Sequence, residues 1–190
     1  MTRIFLVGYM GAGKTSVGRS LALRMNLSYI DTDHFIEKRY HKKVSDIFAT
    51  EGEERFREIE HLILLEVSEY EDIVIATGGG LPCFNENMAI MNEKGITIYL
   101  DVPVEELATR LGASKNKRPV LKSRSGEELI DFIKESLSAR KPFYEQAKIR
   151  YPAGSKYTSD DIEFIIKALE RIKFSARADA PARADLYIPL

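Results

Sequence analysis

The stretch IFLVGYMGAGKTSVGRSLALRM, residues 4–25, decides how the N-terminal part of this chain folds. An apolar run at residues 4–7 stops at Gly8, and beyond Gly13 apolar side chains recur at helical spacing. A continuous apolar run is typical of a buried strand, and a four-residue repeat is typical of one face of a helix. The stretch therefore predicts a strand, a tight glycine-containing loop and a helix.

The loop itself, GYMGAGKT at residues 8–15, matches the phosphate-binding pattern G-x-x-x-x-G-K-[ST]. Its glycines let successive N–H groups face phosphate oxygens, and the N-terminus of the following helix adds partial positive charge. Lys14 supplies a charge for the β- and γ-phosphates of a nucleotide, and the Thr15 hydroxyl is a ligand for Mg²⁺. A glycine-rich turn with an exposed lysine is the alternative. The predicted ATP-binding residues of the loop are Gly11, Ala12, Gly13, Lys14, Thr15 and Ser16.

Phosphate-binding loops are usually accompanied by a second acid that helps to hold the metal at the end of a neighbouring strand. The third predicted strand, residues 73–76, is followed by Thr77 and not by an acid. Asp31 ends the second predicted strand and could reach a metal-bound water from there. We therefore expect Mg²⁺ as the cofactor, with Thr15 and, through water, Asp31 beside it.

The rest of the chain alternates strand-like and helix-like segments. Strand-like segments lie at residues 27–30, 73–76, 96–100 and 149–151, and the apolar runs at 73–76 and 96–100 do not alternate, which suits buried parallel strands. Helical spacing separates them, which is the pattern of an α/β protein. We expect a three-layer α/β/α fold around five parallel strands, in one domain at residues 1–174. The Ala- and Pro-containing end, 175–190, is predicted to be a loosely attached tail.

Some boundaries follow from local signals. Thr50 with Glu53 has the form of a capping box and predicts the start of a long amphipathic helix. Ser125 with Glu128 predicts another helix start, and Pro142 should interrupt that helix. Residues 112–124 are polar and basic, with few core residues, and are interpreted as a mobile flap.

Composition excludes several classes of partner. The 190 residues, 44% hydrophobic, suffice for one core, and 28 basic against 29 acidic residues give no overall attraction to nucleic acid or anionic membrane. No apolar run approaches the ~20 residues that span a bilayer, and no signal peptide is recognisable. Cys83 is the only cysteine, so no intramolecular disulfide forms. We expect a cytoplasmic monomer without nucleic-acid or membrane partners.

Five further motifs follow the phosphate-binding loop in a fixed order. They are DTD at 31–33, FREIE at 56–60, GGG at 78–80, RPV at 118–120, and Arg140 before PFY at 142–144. Each motif is weak alone. Together with the loop they resemble shikimate kinase, from about Ile4 to about Leu169, and leave only the tail outside the resemblance.

The resemblance implies transfer of phosphate from MgATP to the 3-hydroxyl of shikimate, on the route to chorismate and the aromatic amino acids, in a fold like that of nucleoside monophosphate kinases. It implies that Asp33 holds the ring hydroxyls and that Arg57 and Arg140 hold the substrate carboxylate. Gly79, with Gly80 beside it, would contact the ring. The implied catalytic residues are Lys14, Asp33 and Arg118. Arg118 would reach ATP from the flap, and Arg110 resembles the arginine that stacks on adenine.

The chemistry of these residue types agrees with the resemblance, because guanidinium groups suit carboxylates and a carboxylate accepts hydrogen bonds from hydroxyls. Simpler interpretations remain open. Asp33 could cap a helix, Arg57 could be a solvated surface side chain, the glycines 78–80 could form a plain turn, and Arg110 could interact with the C-terminus of its own helix.

The sequence departs from the expected family pattern in two places. Val120 stands where leucine is commoner, which should leave the flap working. Beyond Tyr151, Lys156 is the nearest candidate for the basic residue that the family often places near adenine, so this adenine contact is open.

Two other functions are alternatives. A long acidic or adenine-reading motif would favour a related kinase for gluconate or a nucleoside monophosphate, and the sequence contains none. A regulatory nucleotide-binding module without turnover is the rival from another class. The presence of Lys14, Thr15, Asp33 and both arginines argues against such a loss of activity.

Overall fold

Five parallel strands form the centre of the structure, a computed structural model that describes residues 2–113, 125–154 and 157–177, with side chains up to residue 172. Their order in the sheet is β2-β3-β1-β4-β5. The strands are β1 (Arg3–Val7), β2 (Ser28–Asp31), β3 (Ile73–Ala76), β4 (Ile96–Asp101) and β5 (Ile149–Pro152). All five were expected from the sequence, and the parallel sheet is confirmed.

Seven α-helices accompany the sheet within the described part of the chain. They are α1 (Lys14–Met25), α2 (Thr32–Tyr40), α3 (Val44–Val67), α4 (Asn87–Lys94), α5 (Val104–Ala113), α6 (Gly126–Tyr144) and α7 (Ser159–Arg177), and a 3₁₀ turn covers Leu81–Cys83. None of these helices is both long and apolar enough to cross a bilayer.

Burial along the strands shows that helices cover both faces of the sheet. Neighbouring residues of a strand point to opposite faces, yet all four residues of β3 are buried. The same holds for residues 4–7 of β1, which pairs with β3 on one side and β4 on the other. A sheet covered on both faces is the middle layer of three, which confirms the α/β/α architecture.

The parallel arrangement gathers the functional loops at one edge. Leu6 of β1 lies opposite Ala76 of β3 and Ile98 of β4, and Asp31 at the end of β2 also pairs with Ala76. The carboxyl ends of these strands therefore meet at the same edge. In open parallel sheets, ligands bind in the crevice outside these ends.

The cap predicted at Thr50 is wrong, although a helical segment does begin just beyond it, after a break at Gly52. Helix α3 begins at Val44, and the Thr50 hydroxyl donates to the carbonyl of Asp46 at 2.8 Å instead of capping a new helix. The break falls at Gly52, whose φ of 83° and ψ of 172° lie outside the helical region. A local capping pattern cannot reveal that helical turns already precede it.

The predicted interruption at Pro142 is also wrong, because α6 continues to Tyr144. Proline in the last turn removes only one backbone hydrogen bond near the end of a helix, where carbonyls already lack partners. Ser125 does occupy the N-cap position of α6, but its side chain forms no capping hydrogen bond. Helix α7 runs through Arg177, and residues 178–190 of the predicted tail lie outside the described residues.

The backbone at Gly52 generates a stability prediction. A Cβ at Gly52 would meet no atom within 4 Å, so Gly52→Ala changes only the backbone energy. The conformation is one that glycine alone adopts readily, and we expect a loss of about 1–3 kcal/mol in the free energy of unfolding. Urea denaturation measures it.

The matched control is Gly112→Ala. Gly112 lies inside α5, and among the described residues a Cβ there also meets no atom within 4 Å. Alanine is the better helix former, so this variant should be as stable as the wild type or more stable by up to about 1 kcal/mol. Equal stability of Gly52→Ala and the wild type would show that the break in α3 carries no strain for other residues.

Candidate active site

The phosphate-binding loop lies between β1 and α1, as predicted. Gly11 and Gly13 have φ of 80° and 90°, a left-handed conformation that favours glycine and that turns the backbone N–H groups inward. The ammonium group of Lys14 donates to the carbonyls of Gly8 at 2.7 Å and Tyr9 at 2.9 Å. The lysine is thereby folded over the loop that would hold phosphate.

Thr15 and Asp31 lie together at this edge of the sheet. The Thr15 hydroxyl donates to Oδ2 of Asp31 at 3.0 Å, and the other Asp31 oxygen accepts from the backbone N–H of His34 as the N-cap of α2. A hydroxyl and one carboxylate are hard oxygen ligands, the kind that Mg²⁺ binds while it keeps several waters. The donor set therefore fits the expected metal.

Asp33 and Glu60 both lie where a side chain of residue 78 would stand, and Gly78 has none. A methyl group placed on Gly78 would lie 2.5 Å from Oδ1 of Asp33 and 2.8 Å from Oε1 of Glu60. Two carboxylates thus lie directly against this backbone, and only glycine leaves them room. Asp33 is in the first turn of α2, while the residue that caps the helix is Asp31.

Glu60 ends the FREIE motif, and the sequence patterns assign it no role. Its side chain is 2% exposed. Burial raises the pKa of Glu60 to about 7, the nearby charge of Asp33 adds to the rise, and Arg57 and Arg140 act against it. The site therefore contains a carboxyl group that titrates near neutral pH.

Arg57 is held on several sides and is 13% exposed, so it is not a solvated surface arginine. Its Nη1 donates to Glu60 at 2.5 Å and its Nη2 donates to Glu53 at 2.8 Å. The guanidinium also lies 4.3 Å from the ring centroid of Phe84. A methyl group on Gly80 would lie 2.5 Å from Nη1, so the glycine turn makes room for this arginine.

Gly79 packs against the backbone of the phosphate-binding loop. A methyl group on Gly79 would lie 3.3 Å from the backbone nitrogen of Met10, and its carbonyl accepts from the Tyr144 hydroxyl at 2.5 Å. Arg140 stacks its guanidinium 5.5 Å from the ring centroid of Tyr9. Its charge also acts on Glu60.

A cavity of about 250 Å³ joins these groups. It brings together half of the site residues predicted from the sequence, while Arg57, Gly80 and Arg140 are not among its lining residues. Arg118 lies outside the described residues, as does Lys156. The cavity is lined by Met10, Gly11, Gly13, Lys14, Thr15, Asp31, Asp33, Thr77 and Gly79.

Arg110, on α5, contacts the backbone of the phosphate-binding loop. It donates to the carbonyls of Gly11 at 3.2 Å and Gly154 at 2.6 Å, neither of which belongs to its own helix. Its guanidinium is 5.7 Å from the ring centroid of Tyr157. Tyr157 was missed by the sequence analysis, although its hydroxyl donates to the carbonyl of Ala12 at 2.7 Å.

A hollow of about 320 Å³ opens next to Tyr157 and includes Ser16. It lies between α1 and the start of α7. Gly11, Gly13, Lys14 and Thr15 therefore line the cavity that contains the acids, whereas Ser16 lines this second hollow.

A phosphate-binding loop that shares one cavity with a carboxylate and a glycine turn, in this five-stranded sheet, defines a P-loop kinase. The family model "SKI: Shikimate kinase" matches residues 10–170 of this chain. The chain belongs to the shikimate kinase family.

Individual relatives agree with the family match. A shikimate kinase from Parabacteroides distasonis is 59% identical over 172 residues, which are 90% of this chain and 99% of the relative. The crystal structure of shikimate kinase from Bacteroides thetaiotaomicron has a TM-score of 0.84 and 44% identity, covering 91% of this chain and 98% of that one. Shikimate kinase from Acinetobacter baumannii, in complex with shikimate, has a TM-score of 0.83 and 34% identity, covering 91% and 95%.

The titration of Glu60 generates a prediction about stability and pH. Folded Glu60 keeps its proton up to about pH 7, whereas the unfolded chain releases it near the ordinary value of 4.5. The contribution of this carboxyl group to the free energy of unfolding is therefore fully present below about pH 4.5 and is lost as the pH rises through about 7. Relative to Glu60→Gln, the wild-type free energy of unfolding should fall across this window.

Urea denaturation at several values between pH 4.5 and 8 measures this difference. Glu58→Gln is the matched control, since Glu58 lies on the same helix with a side chain that is 55% exposed. If the wild type and Glu60→Gln respond to pH identically, the carboxyl group does not titrate in the window that its burial implies.

Proposed function

We propose that this chain transfers the γ-phosphate of ATP to the 3-hydroxyl of shikimate, giving ADP and shikimate 3-phosphate in the pathway to chorismate. One observation carries the proposal: the phosphate-binding loop and the Asp33 carboxylate line the same cavity. Donor phosphate and acceptor hydroxyl can therefore meet within one cavity. The family membership identifies the acceptor.

On the donor side, residues 11–16 would bind the phosphates through backbone N–H groups, and Lys14 would bind the β- and γ-phosphates. Thr15, and Asp31 through water, would hold Mg²⁺, which would supply positive charge to offset the negative charge that develops on ADP. Arg110 supports an adenine contact, because it lies at the loop beside Tyr157. By resemblance, Arg118 would add a second positive charge at the phosphates.

On the acceptor side, Arg57 and Arg140 would bind the shikimate carboxylate, and Gly79 and Gly80 would support the ring. Asp33 would orient the 3-hydroxyl and accept its proton. The acceptor oxygen forms the new bond to phosphorus, the bond from phosphorus to the bridging oxygen of ADP breaks, and the hydroxyl proton passes to Asp33. Because such transfers are largely dissociative, positioning matters more than strong basicity.

The proposal includes a cytoplasmic monomer with residues 1–174 as its single domain and without nucleic-acid or membrane partners. The formal charge of −1 supports the last part, since it offers no broad surface attraction to polyanions.

Acceptor specificity is the first test. Purified protein with MgATP is offered shikimate, quinate, gluconate and nucleoside monophosphates in turn, and ADP release is measured. We expect turnover with shikimate to exceed that with each other acceptor by at least about 10³-fold, because a site built for polar groups rejects analogues that leave them unpaired.

A preference for gluconate or a nucleoside monophosphate would select the related kinases instead. Nucleotide binding without turnover on any acceptor would select the regulatory module. Equal ATP hydrolysis with every acceptor would reject the assigned acceptor site.

The role of Asp33 is the second test. Asp33→Asn keeps the shape and one carbonyl acceptor but cannot take the proton, so kcat should fall by ~10²–10⁴. Steady-state kinetics with shikimate measures it. The matched control is Asp160→Asn, because Asp160 also lies in the first turn of a helix, α7, and is exposed.

Asp160→Asn should keep the wild-type kcat. A change in Asp33→Asn confined to the KM for shikimate would leave Asp33 as a binding residue only. Wild-type kcat and KM in Asp33→Asn would remove it from the site.

A further inference from the structure

Tyr144, the last residue of α6, joins two residues of the acceptor site by one hydroxyl. It is completely buried. The hydroxyl donates to the carbonyl of Gly79 at 2.5 Å, and the nearby Arg140 guanidinium acts to lower its pKa. Arg140 lies one helical turn earlier on α6. The hydroxyl therefore sits between a backbone group and a guanidinium that face the same substrate.

The ring of Tyr144 is anchored beneath the phosphate-binding loop. Its centroid lies 5.3 Å from that of Tyr99, which is also buried. Tyr99 in turn supports the loop, since a Cβ on Gly8 would lie 3.6 Å from its Cδ2. On the other side, Arg140 stacks on Tyr9, the residue after Gly8. Contacts thus run from the acceptor arginine to the donor loop through three tyrosines.

The protonation state of Tyr144 suits this bridge. Burial raises the pKa of Tyr144 well above its usual range, against the opposing effect of Arg140. The hydroxyl consequently keeps its proton at neutral pH. It can therefore donate to Gly79 while its oxygen lies near the positive charge of Arg140.

We propose that Tyr144 is a positioning residue, which fixes Arg140 and the Gly79 carbonyl relative to the phosphate-binding loop. It does not line the cavity, and it acts on shikimate only through these two neighbours. The inference rests on the proposed function, because it takes Arg140 and Gly79 as shikimate contacts. Without the hydroxyl, the Gly79 carbonyl loses its buried hydrogen bond and Arg140 loses a neighbouring dipole, so the carboxylate of the acceptor is held less well.

The test is Tyr144→Phe, which keeps the ring and removes the oxygen. The KM for shikimate should rise about five- to twentyfold, as expected for the loss of a buried hydrogen bond, while the KM for ATP changes less than about twofold. A merely structural loss would lower the apparent kcat through the amount of folded enzyme and would leave both KM values unchanged.

The matched control is Tyr99→Phe. Its hydroxyl donates to Oδ1 of Asp101 at 2.9 Å, away from Arg140 and Gly79. Both variants lose one hydroxyl from a buried tyrosine in the same ring pair, so thermal unfolding compares their stability. Tyr99→Phe should keep the wild-type KM for shikimate.

A double-mutant cycle tests whether the effect passes through Arg140. In the Arg140→Ala background, adding Tyr144→Phe should raise the KM for shikimate by a clearly smaller factor than it does in the wild type. Equal factors in both backgrounds overturn the proposal. So does a normal KM in Tyr144→Phe, or an equal rise in Tyr99→Phe.

The wild type separates the two proposals. If it shows no shikimate-dependent ADP release, the proposed function itself fails. If it phosphorylates shikimate and Arg140→Ala raises the KM, but Tyr144→Phe behaves as the wild type, only the role of Tyr144 is rejected.

Discussion

Close approach at the glycine turn after β3 is the constraint on which the site depends. Each of three successive glycines leaves room for a different neighbour: Gly78 for the carboxylates of Asp33 and Glu60, Gly79 for the backbone of the phosphate-binding loop, and Gly80 for the guanidinium of Arg57. Any side chain here would push apart groups that must converge on one substrate. A bare backbone is thus the common surface against which α2, α3 and the loop are assembled.

The charges beside that turn balance one another. Arg57 lies between Glu53 and Glu60, and Arg140 adds a second positive charge near Glu60. Desolvation of such a pair largely offsets its attraction, so its net contribution to stability is small, whereas loss of one partner costs about 3–5 kcal/mol. The arrangement chiefly fixes the geometry of Arg57 before any substrate arrives.

Sequence patterns predicted what depends on local order, namely the five strands, the phosphate-binding loop and the proximity of Asp31 to Thr15. Boundaries set by neighbouring turns were wrong, as at Thr50 and Pro142. Helix α4 was not predicted, because it has only eight residues and buries few apolar side chains, so its sequence shows no clear helical repeat of apolar residues. The contacts of Tyr144, Tyr157 and Glu60 arise from segments far apart along the chain, and no spacing rule encodes them.

Helix α6 has a mechanical consequence. Its 19 residues make a rod about 28 Å long, with Gly126 at one end in a left-handed conformation and Arg140 in the last turns at the other. An α-helix bends little, so the buried contacts of Tyr144 also set the direction of the whole rod and the position of its exposed Gly126 end. The acceptor contacts therefore lie at the fixed end of the helix, and its exposed end lies nearly one helix length away from them.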